Sequence, residues 1–327
     1  MTHTPSPTST APTTTPGAGS PGPATGTAPS AAPAPPAPAG ATTPARTPLA
    51  APGTVLVLGG TGKTGRRVAA RLRDRGVDVR IGSRSATPAF AWESPSTWDA
   101  ALSGVDAVYV CFVPDLAVPG AADVVRAFVA RAEAAGVRRL VLLSGRGEDG
   151  AEECERLVLA SRIPATVVRA AWFDQNFSEY YLVDGVLAGE VVLPAGDVLE
   201  PFVDADDIAD VAVAALTEDG HAGELYEVTG PRLLTFGQAV AEIGAATGRA
   251  IAYVEVPVAD YAAAMTEAGA SDDEVWLLTY LFTTVLDGRN STVTDGVRRA
   301  LGRPPRDFAE FARDAAAAGA WDAVAVG

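Results

Sequence analysis

Residues 54–65 read TVLVLGGTGKTG, and no other stretch restricts the possible folds as much. The consecutive apolar residues Val55 to Leu58 suit a short buried strand, after which glycine recurs at 59, 62 and 65. In 66–75 the spacing of Val68, Ala69 and Leu72 predicts a helix that ends at Gly76. A strand that turns through glycines straight into a helix is the setting of phosphate-binding loops. Two such patterns compete here. The nucleotide-hydrolase loop G-x-x-x-x-G-K-[ST] matches Gly62-Lys63-Thr64, but its first glycine would fall at Val57, inside the strand. The dinucleotide pattern in its wider spacing, G-x-x-G-x-x-G, is met by Gly59, Gly62 and Gly65. Glycine permits the tight turn and the close approach of a pyrophosphate, and the helix N-terminus offers N–H groups and positive potential. The loop therefore predicts nicotinamide-dinucleotide binding.

The first half of the chain repeats this alternation. Strands are predicted at 77–81, 107–113, 139–143 and 165–169, with a further short one at 89–92, and helices at 97–102, 121–135 and 152–160. Strand interiors such as RLVLL are nearly all apolar, as in strands covered on both faces. The expected fold is α/β, a Rossmann-type doubly wound parallel sheet. After residue 174 the pattern loosens. Helices at 206–216 and 236–246, strands at 225–228 and 252–256, and mostly helix beyond 258 are expected to form a smaller, mostly helical C-terminal lobe. That substrate lobe would lie mainly in 174–327 of an NAD(P)-binding domain over 53–327. Residues 1–52 hold 14 of the 25 prolines and, apart from Arg46, no Asp, Glu, Lys or Arg. Such a stretch has little to bury, so a disordered tail of polyproline-like character is expected, open to a protein partner with an aromatic groove.

Residue counts exclude several chemistries. Of 25 Lys and Arg residues only Lys63 is a lysine, so no mechanism can use a second one. His3, His221, Cys111 and Cys154 are too few and too scattered for a structural zinc site or a disulfide framework, and no metal is expected. A net charge of −15 repels phosphate backbones, which argues against a direct nucleic-acid partner. No apolar run approaches the roughly 18 to 20 residues that span a bilayer. The N-terminus lacks a basic segment followed by an apolar one, so a cytoplasmic location is expected.

The end of the second strand selects the cofactor form. NAD-preferring sites place an acidic residue there for the ribose hydroxyls. Here the segment is Gly82-Ser83-Arg84-Ser85, without a carboxylate. Arg84 suits a 2′-phosphate, Ser83 and Ser85 can donate to it, and Lys63 adds charge nearby, so NADP(H) is expected over NAD(H).

Ligands of open parallel sheets bind beyond the carboxyl ends of the strands. Those ends carry Cys111 to Asp115, Ser144 to Arg146, and Ala171 to Asn176. Ser144 stands where short-chain dehydrogenases place the serine that works with Tyr-x-x-x-Lys. No Tyr lies between Tyr109 and Tyr180, however, and no Lys follows any Tyr, so that acid–base apparatus is absent. Iminium, quinone, azo and other strongly conjugated acceptors can be reduced without it, binding and orientation supplying most of the rate. Candidate proton donors are Asp174, Tyr180 and Tyr181; the alternatives are a helix cap for Asp174 and packing for the tyrosines. Trp172 and Phe173 suit an aromatic pocket wall or the core, Cys111 a small buried hydrophobe, and His221 a surface loop.

The segments LVLGGTGKTGRRVAARL, IGSRS, GVDAVYV, GVRRLVLLSGRG, VVRAAWFDQNFSE and PFVDADDIADVAVAAL together resemble the NmrA-like group of atypical short-chain dehydrogenases, over about residues 54–256. Within that group the GGTGKT loop, Trp92, the Ser96-Thr97-Trp98 run and the ADDIA segment resemble bacterial relatives of the ergot-alkaloid festuclavine and agroclavine dehydrogenases. Those relatives reduce an iminium-type intermediate with NADPH; the group also holds quinone and azo-dye reductases and a redox-sensing regulator. The resemblance implies cofactor contacts from Gly59, Thr61, Gly62, Lys63, Thr64, Gly65, Ser83 and Arg84. It implies that Pro114, Ser144 and the segment from Trp172 to Asn176 surround the nicotinamide. It gives Asp204 to Ile208 a structural role, with Asp204 capping a helix whose first turn holds Asp206 and Asp207. Two functions remain open at this point: an NADPH-dependent reductase of a small conjugated or iminium-type molecule, and a regulatory protein that senses the dinucleotide and turns nothing over.

Overall fold

The computed structural model describes residues 53–322. The expected disordered segment 1–52 lies outside them. Strands β1 (Thr54–Leu58), β2 (Asp78–Gly82), β3 (Ala107–Val110), β4 (Arg139–Gly145), β5 (Ala165–Ala170) and β7 (Leu225–Val228) form one sheet in the order β2-β1-β3-β4-β5-β7. Every pair is parallel. β6 (Glu190–Leu193) and β8 (Ala252–Glu255) pair separately, also in parallel. The expected doubly wound sheet is therefore present.

Alternate residues of one strand enter opposite cores, as the two-residue period of a strand requires. Leu56, Leu58, Val108, Val110, Leu140 and Leu142 pack on one face against α2 (Trp98–Leu102), α3 (Ala121–Ala134) and α4 (Asp149–Leu159). Val55, Val57, Ala107, Tyr109 and Val141 pack on the other against α1 (Lys63–Asp74), α7 (Ala205–Thr217) and α11 (Gly296–Leu301). Full burial of each Val or Leu contributes roughly 1.5–3 kcal/mol, and two-sided burial is why these strands read as unbroken apolar runs. α1 and α7 are also held by charge: Arg67 and Arg71 meet Asp206, and Arg71 meets Asp210.

The segment 89–92 is not a strand. Phe90 and Trp92 both turn into an aromatic cluster with Trp98 and Phe128, at centroid separations of 5.0 to 6.4 Å. Its backbone groups are satisfied locally instead of by a ladder: Phe90 N–H donates to the Ser83 carbonyl, and the Trp98 indole donates to that of Ala91.

After β5 come α5 (Asn176–Glu179), α6 (Val183–Ala188), α8 (Phe236–Thr247), α9 (Val258–Glu267), α10 (Asp272–Tyr280) and α12 (Phe308–Ala317). Much of this part packs around a third, aromatic-rich core with Phe177, Phe202, Phe236, Phe282, Phe308 and Trp321. α7 and β7 return to the main sheet. Among the described residues no helix is long and apolar enough to cross a membrane.

Candidate active site

Close packing shapes the turn after β1. Gly59 takes φ +62°, a conformation that favours glycine, and its amide donates to the Gly82 carbonyl at 3.1 Å. A Cβ on Gly65 would lie 2.2 Å from the Gly59 carbonyl oxygen, so α1 presses on the loop through a glycine. Gly62 caps α1 without a side chain, and no acidic residue stands in the first turn. The first N–H groups of α1 are thus left for an anion. This is the cradle a dinucleotide pyrophosphate fits.

At the end of β2, Ser83 and Ser85 hydroxyls lie 3.3 Å apart. Arg84 is exposed and makes no ion pair among the described residues. Lys63, the first residue of α1, donates to the Asn176 side-chain oxygen and stands 4.2 Å from the centre of the Tyr180 ring. Burial pushes its ammonium down to about 8, against the upward pull of Glu179.

Beyond the carboxyl ends of β3, β4 and β5 opens a cavity of about 480 Å³. Lys63 and Thr64 reach it from the loop, Pro114 and Asp115 from the chain after β3, and Ser144 and Glu148 from the end of β4 and beyond. Trp172, Phe173, Asn176, Tyr180 and Tyr181 follow from the chain after β5. Met265, Leu277, Leu278, Leu281 and Val285 close the far side. An apolar enclosure with a few convergent polar groups is the usual form of a small-molecule site.

The structure thus brings Lys63, Thr64, Pro114, Ser144, Trp172, Asn176 and Tyr180 into one cavity. Gly59, Thr61, Gly62 and Gly65 form the adjoining loop, while Ser83 and Arg84 stand apart at the end of β2. Ser144 has its hydroxyl committed to Glu155 at 2.6 Å, and Glu155 also binds Arg169.

Asp174 is not brought to the cavity. It is fully buried, and among the described residues neither carboxylate oxygen has a partner and it caps no helix. Burial first, then the charges of Asp204, Asp207 and Asp307, raise it well above the usual carboxylate range, so it holds a proton. His221 corrects another expectation: it is buried, not on the surface, and its Nδ1 lies 3.0 Å from the Tyr226 hydroxyl. Its loop folds back under β5, where the Thr166 hydroxyl donates to the His221 carbonyl. Asp204 caps α7 as expected, accepting from the Asp206 amide.

Four carboxyls in the cavity wall carried little signal in the sequence: Asp115, Glu148, Glu200 and Glu274. Asp115 directly follows Pro114 at a strand end, a position that could have marked it. Glu148 sits at the start of α4, where an acid reads as helix-terminal charge. Glu200 is fully buried with both oxygens unpartnered, and burial pushes it up to about 8.

A parallel sheet with a glycine loop feeding α1 and a cavity at its carboxyl edge defines a dinucleotide-binding protein, and residues 59–219 match a family described as NAD(P)H-binding. The chain belongs to this NAD(P)H-binding family and is an oxidoreductase. It is 33% identical to the NAD(P)H azoreductase of Xenophilus azovorans over 285 residues, 81% of this chain and 98% of that one. It is 34% identical to (4-alkanoyl-5-oxo-2,5-dihydrofuran-3-yl)methyl phosphate reductase of Streptomyces griseus subsp. griseus over 294 residues, with 81% and 98% covered. With festuclavine dehydrogenase of Aspergillus fumigatus it shares 30% identity over 279 residues, covering 79% and 96%. In fold it is similar to the NADPH-dependent quinone oxidoreductase of Escherichia coli complexed with NADPH (TM-score 0.67, 22% identical, 80% and 99% covered). It is similar in the same way to NmrA, a negative transcriptional regulator, in complex with NADP (TM-score 0.61, 16% identical, 81% and 95% covered).

Proposed function

We propose that the protein uses NADPH, in preference to NADH, to reduce a small conjugated or iminium-type molecule of quinone, azo or alkaloid-like character. The observation that carries this reading is the cavity itself: the phosphate-binding loop forms one rim through Lys63 and Thr64, and an apolar wall from Trp172 to Val285 forms the other. Bound there, the dinucleotide supplies a hydride. The chain's own residues bind and orient. The N–H groups opening α1 and the Lys63 ammonium hold the pyrophosphate, and Arg84 with Ser83 holds the 2′-phosphate. Trp172, Leu277, Leu278 and Leu281 exclude water and present a flat surface to a conjugated ring. Tyr180 borders the cavity with its phenol raised by burial and by the charges of Glu274 and Asp115, so it stays protonated and can donate a hydrogen bond. Asp174 is given a packing role. Residues 174–327 close the far side of the cavity and act as the substrate lobe.

The test is turnover. Purified protein with NADPH is offered quinones, azo dyes and cyclic iminium compounds, with Gly62→Asp as the control. NADPH oxidation that depends on an acceptor and is lost in Gly62→Asp supports the reading. Tight NADP(H) binding with no acceptor reduced would replace it with a sensing role.

A further inference from the structure

Asp115 and Glu148 enter the same cavity from different elements, one following β3 and one opening α4, and their carboxyls stand next to each other. Asp115 Oδ1 also accepts from the Ala117 amide at 2.8 Å, as a carboxylate does. Glu148 is 7% exposed, and no nitrogen or hydroxyl donor reaches its Oε2. Cys111 and Tyr180 stand on the Asp115 side and Glu155 and Tyr280 on the Glu148 side, while Lys63, Arg146, Glu200 and Glu274 line the same cavity. Among the described residues no Lys, Arg or His is ion-paired to either carboxyl. Two carboxyls in contact without a cation between them cannot both ionise. One proton must lie between them.

We propose that Glu148 and Asp115 share a proton and deliver it to the bound acceptor, an inference that rests on the reductase reading above. Burial, reinforced by the Asp115 charge, raises Glu148 well above the usual carboxylate range, so Glu148 is the member that carries the proton at neutral pH. A quinone or azo acceptor gains a hydride, with its two electrons, from the reduced dinucleotide at one end of its conjugated system. It gains the shared proton at an oxygen or nitrogen of the other end. The Glu148 O–H bond breaks, an O–H or N–H bond forms on the acceptor, and the ionised pair recovers a proton from water. An iminium acceptor becomes a neutral amine on the hydride alone and draws nothing from the pair. The site therefore favours acceptors whose reduction consumes a proton.

The experiment uses the full chain with NADPH, a benzoquinone and a cyclic iminium compound. Glu148→Gln keeps the size of the side chain and removes its acidic proton. The ratio of quinone to iminium kcat is expected to fall about 100-fold, within the range for a general acid, with the KM for NADPH unchanged. The loss of quinone kcat at alkaline pH in the wild type should disappear in the variant. Asp115→Asn, which removes the other half of the pair, should lower the same ratio. An unchanged ratio in both variants overturns the proposal. Infrared spectroscopy of the acceptor-free protein at neutral pH gives a second readout. A protonated-carboxyl C=O band present in the wild type must be missing in Glu148→Gln, and superimposable spectra overturn the shared proton whatever the activity. If the band is lost but the wild type reduces no acceptor, the reductase reading fails and the delivery step with it, while the shared proton stands.

Discussion

The Lys63 ammonium donates to the side-chain oxygen of Asn176, joining the start of α1 to the start of α5. Beside the ion pairs of Arg66 and Arg67 with Glu179, which also join α1 to α5, this contact ties the residue after the glycine turn to one in the cavity wall. Its cost is desolvation, which brings the ammonium down to about 8.

The cation is therefore present at neutral pH and lost as pH rises through about 8. NADPH affinity should weaken across that window. Lys63→Ala should bind NADPH several-fold more weakly at pH 7 and show no such dependence. Titration of NADPH fluorescence at a series of pH values checks both, and an affinity indifferent to Lys63→Ala would return the lysine to a packing role.

Arg84 should decide between the two dinucleotides. It is exposed at the end of β2, makes no ion pair among the described residues, and has no carboxylate beside it in the Gly82-to-Ser85 segment. A charge-assisted bond to a 2′-phosphate is worth about 1.5–3 kcal/mol, so Arg84→Ala should raise the Kd for NADPH roughly 10- to 100-fold. NADH, which lacks that phosphate, should bind as before. Equal effects on both would remove Arg84 from the cofactor site.

The glycine turn was legible in the sequence because it is local: Gly59, Gly62 and Gly65 shape a strand-to-helix turn that a linear pattern encodes. The sheet was legible for a similar reason, since two-sided burial leaves unbroken apolar runs. The acid groups were not. Asp115 and Glu148 come from separate elements, and neither position shows that they meet. Glu200 is carried to the cavity by a stretch whose backbone pairs with Leu234, a contact no periodicity announces. Asp174 misled in the opposite way, because a strand-end carboxylate suits catalysis, whereas its amide is tied to the Val203 carbonyl and its side chain is fully buried away from the cavity. His221 lies in a Gly-rich loop of surface character, yet the Tyr226 hydroxyl holds it inside.

Glu200 should leave a mark on the pH dependence of stability. Its folded value is pushed up to about 8 from the ordinary 4.5, so between those values the folded state holds a proton that the unfolded state has lost. Its contribution to stability is complete below about pH 4.5 and is lost as pH rises through about 8. Glu200→Gln should remove that slope, leaving Tm near the wild-type value at pH 5 and above it at pH 8.5. Parallel Tm curves for the two proteins across this range would show that Glu200 titrates normally.

Two glycines of the loop should separate folding from binding. Gly62 has φ −81° and ψ −179°, which any residue adopts, and it stands at the N-cap of α1. An aspartate there is a favoured cap, worth only a few tenths of a kcal/mol over glycine, so Gly62→Asp should keep the wild-type Tm. Its carboxylate would nevertheless occupy the N–H groups meant for phosphate and repel the pyrophosphate, so NADPH binding should be lost. Gly65 differs because its Cβ would lie 2.2 Å from a backbone oxygen. Gly65→Ala forces the loop and α1 apart at an overpacking cost of about 1–3 kcal/mol, a fall in Tm of roughly 2–12 °C. It should also weaken NADPH binding, because the loop geometry itself is changed. Thermal melts with and without NADPH distinguish the two: the cofactor should raise the wild-type Tm and leave that of Gly62→Asp unmoved. A Gly62→Asp protein still stabilised by NADPH would mean that the phosphates lie elsewhere than the start of α1.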